Sequence, residues 1–214
     1  MAESKTTLVF NQIKEDINKG VYSPNEKLVE TELASRYETS RNTIRNVLSL
    51  LEKDNLVSIE PHKGAKIVSL KLKDIVDLLE LRAEVEGYIF KKVVPTILQD
   101  DIKEMEDIFK QMQSNIKNNQ FTHHAELNNS FHEIIYSKCD NKLATDLVRS
   151  LKEQVAKYNF KTILIPGRQE ATLIEHQNIL EAVSKKDEAQ ASLRVKEHIY
   201  SVRDTLIKYD NIFL

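Results

Sequence analysis

Two kinds of hydrophobic pattern divide the chain. From position 73 onward apolar residues recur at three- and four-residue spacing, with only Pro95, Pro166 and Gly167 as breakers and almost no strand-like alternation. That spacing predicts helices over 73–94, 99–117, 122–138, 142–160, 169–184 and 187–209. The first third reads differently. Leu33, Ala34 and Tyr37 share a face of one short helix, while Ile44, Val47, Leu48 and Leu51 recur on a second, so the two apolar faces can close on each other. Val57–Glu60 and Lys66–Val68 read as short strands around Pro61-His-Lys-Gly-Ala65, a turn whose glycine relieves backbone strain. The predicted fold is mainly α. Residues 1–70 form a winged helix-turn-helix of three helices plus a small β-hairpin, and residues 73–214 form an all-α bundle of about six helices. The joining segment, Ser69 to Leu72, is short enough for rearrangement in the bundle to be felt by the winged helix.

Composition narrows the classes. At 214 residues, 41% hydrophobic and 30% charged, the chain can hold two modest cores and is neither disordered nor fibrous. No apolar run approaches the roughly 20 residues that cross a bilayer, and Met-Ala-Glu-Ser-Lys lacks a basic segment followed by an apolar core, so a cytoplasmic protein without membrane contact is expected. Cys139 is the single cysteine, which excludes an internal disulfide; with no partnered Cys or His motif it reads as a structural thiol.

Chemistry enters at the second helix of the pair. Thr39-Ser40 supplies hydroxyls at the turn, and Ser40 can cap the helix by accepting from its first amides. The exposed start then carries Ser40, Arg41, Asn42, Thr43 and Arg45, short donors and two guanidiniums suited to phosphates and to base edges in a groove of duplex DNA. Lys63 and Lys66, with Gly64 at the hairpin tip, would meet the backbone beside it and make affinity salt-sensitive. A net charge of −2 looks wrong for such a partner, but Arg41, Arg45, Lys63 and Lys66 concentrate on one face, while Glu15, Asp16, Glu52 and Asp54 fall on segments expected to face elsewhere. A helix pair followed by a hairpin also occurs in proteins that never touch nucleic acid. The spelling decides: Ile13 to Gly20, Pro24-Asn-Glu-Lys-Leu28, Glu32-Leu-Ala34, Ser40-Arg41, Arg45 and Pro61-His-Lys-Gly64 resemble the N-terminal winged helix of the GntR family of bacterial transcription regulators. The sequence departs from that family where Glu38 replaces a glycine, Thr43 a proline and Val29 a capping Ser or Asn.

Histidines carry the second signal. His132, His176 and His198 lie on three different predicted helices, and Asn128 sits four residues before His132 on the same face, so a carbonyl oxygen and imidazole nitrogens could address one ion. Ile179, Leu180 and Val183 share a face with His176, and Val195, Ile199 and Val202 flank His198, which predicts that both point inward. A lone histidine on an apolar face is nonetheless more often a hydrogen-bonded core residue than a ligand. Leu81-Arg-Ala-Glu-Val-Glu86, Asn128-Asn-Ser-Phe-His132, Asp140-Asn141, Glu175-His176 with Ile179-Leu-Glu-Ala182, and His198 resemble the FadR C-terminal ligand-binding (FCD) domain of one GntR subfamily. In many members an Asp and three His hold a divalent metal; here Asn128 stands at the Asp position and contributes no negative charge. Zinc or nickel suits an imidazole-rich site, and the alternative is a metal-free polar pocket that binds the effector directly. The resemblance also implies that Arg82 clamps an effector carboxylate, although a surface pair with Glu86, one turn later, explains it nearly as well. Arg149 and Tyr88 are further candidates for the cavity, and His123 and His124 are expected to be solvated.

The sequence therefore points to a homodimeric transcription regulator, a repressor by the usual habit of such families. It would read a palindromic operator in double-stranded DNA and sense a small carboxylate, with or without a divalent metal. Two rivals stand beside it: a metal-dependent hydrolase using the His-lined site, and a DNA-binding protein with no effector. The hydrolase lacks a base, because Glu175 and Glu197 are helix neighbours of His176 and His198 and should not face the same ion.

Overall fold

The computed structural model describes residues 4–18, 20–23, 25–60, 63–118, 121–162 and 165–210. The chain separates into two compact units, Met1–Lys71 and Leu72–Leu214. Among the described residues the structure is mostly helical, with one small antiparallel sheet in the first unit.

The first unit runs α1 (Lys5–Asn18), β1 (Lys27–Leu28), α2 (Glu30–Arg36), α3 (Arg41–Lys53), β2 (Val57–Glu60) and β3 (Gly64–Ile67). Val9, Ile13 and Ile17 recur every fourth residue on α1 and are buried against Ile44, Val47, Leu48 and Leu51 of α3 and Leu33 of α2. Each fully buried Ile or Leu of this seam contributes about 1.5–3 kcal/mol. Ala34 and Tyr37 pack on its edge, as the spacing predicts. The Tyr37 hydroxyl donates to Asp16 at 2.6 Å, tying α2 to α1. Strand order is β1-β3-β2, with Ser58 opposite Lys66 and Lys27 also opposite Lys66. The expected hairpin is thus present but carries a third strand. Its second arm is Gly64–Ile67, displaced from the Lys66–Val68 read from alternation. Gly64 has φ +87° with open space around its α-carbon, so its backbone angle and not crowding calls for glycine. Pro61 and His62 of the expected turn, and Pro24, lie outside the described residues.

The second unit is α4 (Leu72–Val93), a 3-10 turn at Val94–Thr96, α5 (Gln99–Lys117), α6 (Phe121–Ser137), α7 (Lys142–Thr162), α8 (Arg168–Ser184) and α9 (Glu188–Lys208). These agree with the six predicted spans to within two residues at either end. Helix α4 packs along α9, α9 also meets α8, and α5 meets both α6 and α8. Ile75, Leu79, Ala83, Ile89 and Phe90 of α4 and Val195 and Ile199 of α9 are buried in the resulting core. Gly167, with φ +81°, turns the chain into α8. Among the buried side chains of this unit are Arg82, Glu86, His132, His176 and His198, which apolar packing alone would not place there. Among the described residues no helix is long and apolar enough to cross a membrane.

Candidate functional site

On the first unit, Ser40 begins α3 and its Oγ accepts from the Thr43 amide at 3.1 Å, the cap expected from sequence. Its hydroxyl also shares a proton with Thr43 Oγ1 at 2.9 Å. A proline at Thr43 would remove the amide that this cap uses. Arg41 and Arg45, both exposed, line a groove of about 590 Å³ together with Lys63 and Gly64 of the hairpin, with β1 as its third wall. Ser40, Asn42 and Thr43 lie outside that lining at the open end of the helix; Asn42 is exposed.

The cationic face is not bare, which corrects the charge distribution read from sequence. Glu30, the first residue of α2, accepts from Arg41 Nη2 at 3.1 Å and from Arg45 Nε at 2.9 Å with each of its oxygens. Those arginines hold its carboxyl below the usual carboxylate range, the Arg45 hydrogen bond most strongly. Glu60 takes Lys66 at 2.6 Å and Lys63 at 2.9 Å, and these lysines hold its pKa at about 2. Of the acids expected to face elsewhere, Asp16 is engaged by Arg36 and Tyr37 and Asp54 by Lys14, outside the groove lining, while Glu52 accepts from the amide of Ile59, a residue that lines the groove.

In the second unit, His132 of α6, His176 of α8 and His198 of α9 converge, and one ring nitrogen from each lies within 4.8 Å of the others. Ring centroids are 5.5 Å apart for His132 and His176, 5.4 Å for His132 and His198, and 4.6 Å for His176 and His198. Each Nδ1 faces an outer acceptor. His176 Nδ1 is 2.8 Å from the Thr172 carbonyl one turn earlier, and His198 Nδ1 is 2.7 Å from Glu175 Oε2. His132 Nδ1 lies 3.2 Å from Glu86 Oε2, off the line of a hydrogen bond, and neither His132 nitrogen has a hydrogen-bond partner although the residue is buried. Donation from Nδ1 fixes the tautomer that keeps a lone pair on Nε2, the form that binds metals. Burial lowers the pKa of His132 to about 3 against the opposing pull of Glu86, and burial likewise lowers His198, so both rings are neutral at pH 7. Asn128, half-buried, lies one turn before His132 on α6.

The surroundings revise several expectations. Arg82 is paired with Glu86 at 2.6 Å, but the pair is buried beside His132, not on the surface. Burial opposes the Glu86 charge, and the adjacent Arg82 guanidinium overcomes it, holding the carboxyl well below its usual range. Arg149 is half-buried and committed to a two-pronged bond with Glu133, with Asp146 at 3.8 Å. Tyr88 is exposed and its hydroxyl accepts from Asn141, so it faces away from the buried rings. His123 is exposed beside Glu126; the His124 side chain lies outside the described residues. Glu175 does not face a shared ion position with His176. It orients His198 and is held by both terminal nitrogens of Arg168 at 3.0 Å. Sequence reading missed Lys152, whose ammonium lies 5.1 Å from the Tyr136 ring centre. Burial and the nearby Arg82 charge lower its pKa to about 8. Its position in the apolar stripe of Val148, Leu151 and Val155 on α7 is the signal that could have found it.

The comparisons with known proteins fall on the same two units. Residues 5–67 match the model of bacterial regulatory proteins of the gntR family, and residues 77–201 match the FCD domain. An uncharacterised HTH-type transcriptional regulator, YdhC of Bacillus subtilis, is 28% identical over 190 residues, covering 88% of this chain and 85% of that protein. The HTH-type transcriptional repressor RspR of Escherichia coli K12 is 21% identical over 92% of this chain and 87% of its own length. Among solved structures, E. coli McbR/YncC superposes with a TM-score of 0.83 at 17% identity, covering 98% of this chain and 99% of that one, which shows a shared fold.

Proposed function

Because the chain belongs to the GntR family of bacterial regulatory proteins and carries an FCD domain, we propose that it is a ligand-responsive repressor of the FadR type. In this reading it acts as a homodimer on a palindromic operator and senses a small carboxylate through the histidine pocket. Its family and relatives are DNA-binding transcription regulators and not enzymes, which sets the hydrolase alternative aside. The observation that carries the sensing half is the meeting of three buried imidazoles from three helices, each with its Nδ1 toward an outer acceptor.

On DNA, α3 enters the major groove by its capped N-terminus. Arg41 and Arg45 reach base edges and phosphates, Ser40, Asn42 and Thr43 add short polar contacts, and Lys63 with Gly64 sets the wing on the backbone. A two-fold dimer presents two such helices to half-sites about one helical turn, or a multiple of it, apart.

In the bundle, the donor set fits a divalent metal such as zinc or nickel: three buried imidazoles that each bring a ring nitrogen within 4.8 Å of the others, and buried His132 nitrogens with no hydrogen-bond partner. His132, His176 and His198 would hold it, with the Asn128 carbonyl oxygen beside them, and the ion would supply a Lewis-acidic anchor for a carboxylate. Glu175 and the Thr172 carbonyl orient two of these rings, and Glu86 faces the third. Arg82 and Lys152 place positive charge at the same pocket, and Arg149 lies at its Glu133 side. A coupling of about 1–3 kcal/mol between pocket and winged helix changes operator occupancy usefully.

The test is an operator selection from random duplex with the purified protein, repeated with chelator and with a panel of small organic acids. A two-fold symmetric motif whose retention responds to one acid is expected. Arg45→Ala abolishes retention while the protein stays folded, and His176→Ala keeps basal retention but blunts the response. Enrichment of no motif, or a response to no acid with and without added zinc, overturns the corresponding half.

A further inference from the structure

Two carboxylates of the first unit, Glu30 in the groove and Glu60 on the hairpin, hold chemically different partners. Glu60 holds lysines, Lys63 and Lys66, whose ammonium groups are point charges. Glu30 holds two guanidiniums, and the contact with Arg45 is made at Nε, on one edge of a planar, five-donor group. With both Glu30 oxygens 2.9 Å from Nε, the terminal pair of Nη groups faces away from the carboxylate. That outer pair is the fork which matches guanine O6 and N7 in the major groove. Arg45 can therefore read a base without leaving Glu30. A lysine that pairs with a phosphate has to share or surrender its single charge.

We propose that Glu30 is the positioning residue that gives this protein its sequence specificity. It holds Arg45 on α3 so that its outer edge meets a base, and, by pairing also with Arg41 at Nη2, it weakens the attraction of both arginines to phosphates of arbitrary sequence. Glu30 sits at the base of the groove between α3 and the wing, at the first residue of α2, so its place is fixed by the helix pair itself. Both arginines remain more than half exposed while paired, ready for DNA without a prior conformational change. The carboxylate halves the charge a random phosphate meets and adds its own repulsion, whereas a bidentate base contact keeps the Arg45–Glu30 bond and aligns it. Glu60 supplies the contrast, a carboxylate of the hairpin outside the groove lining, with no base-reading edge behind it.

This inference rests on the reading of α3 as the DNA-reading helix; if the full-length wild-type protein enriches no motif, that reading fails on its own account. Given an enriched operator, affinities of wild type, Glu30→Gln and Glu60→Gln are measured for operator and for random duplex at fixed salt. Glu60→Gln is expected to raise both affinities by a similar factor, about threefold, from the added charge near phosphates. Glu30→Gln is expected to raise random-duplex affinity but lower operator affinity, so that their ratio falls about tenfold, the scale of one bidentate base contact. Repeating the selection with Glu30→Gln should return a motif degenerate at its guanine positions. Arg45→Lys, which keeps the charge but loses the fork, should reduce the ratio similarly, and the double variant should lose no more than Arg45→Lys alone. Unfolding temperatures confirm that each variant is folded. An unchanged ratio in Glu30→Gln, a selected motif identical to that of wild type, or losses that add in the double variant overturns the proposal.

Discussion

Glu38 follows α2 with φ +47°, in the left-handed region that favours glycine. A side chain there is strained by about 1–2 kcal/mol, part of which glycine returns as entropy in the unfolded chain. Glu38→Gly should stabilise the first unit by about 0.5–1 kcal/mol, read as a higher denaturant midpoint with unchanged slope. Lys152 is strained electrostatically instead. Its folded pKa of about 8 lies below the ordinary 10.5, so above pH 8 the unfolded chain binds more protons at this residue and its contribution to stability rises with pH until about 10.5. Below pH 8 the folded state carries a penalty for a charged, largely enclosed ammonium. Lys152→Met should remove it and raise stability at pH 7 by about 1–3 kcal/mol, with the difference from wild type vanishing above pH 10.5. Urea midpoints from pH 6 to 11 test this; a difference that does not narrow with pH would place the effect in packing.

At the scale of elements, the two helix starts of the first unit differ in how they are capped. Ser40 caps α3 through the Thr43 amide, and Ser40→Ala should cost about 1 kcal/mol. Val29 stands before α2 with extended backbone and no side-chain bond to the helix, so Val29→Ser should gain up to about 1 kcal/mol. Thermal unfolding of the pair should move in opposite directions. The helices were legible in the sequence because each buries one stripe: Ile102, Met105, Ile108, Phe109 and Met112 on α5 keep a three- and four-residue rhythm, and its range was read without error. Strand β1 was not legible, since two residues hold no alternation and exist as a strand only because β3 lies beside them. The same limit governed the sites. His132, His176 and His198 announced themselves as polar residues in apolar stripes. The pairings of Glu30 with two arginines and of Glu175 with His198 join residues 11 to 23 positions apart and have no local signature.

For the whole molecule, the strongest expectation concerns ligand linkage. If the three imidazoles hold a metal, zinc at 100 times its dissociation constant adds about 2.7 kcal/mol to the second unit, and chelation removes it. The unfolding transition of the helical unit should shift while that of the winged helix stays in place, and His176→Ala should abolish the shift. A shift of equal size in His176→Ala would put any bound metal elsewhere. Asn128→Asp, which restores a negative charge one turn before His132, should tighten metal binding and enlarge the shift.

The buried Arg82–Glu86 pair carries a consequence for ancestry. Replacing either member alone strands its mate in a dry interior at a cost of about 3–5 kcal/mol, whereas exchanging both for well-packed apolar residues is close to neutral. Exposed positions of α4 can change one at a time, yet these two are heritable only as a couplet, so descendants should retain both charges or neither.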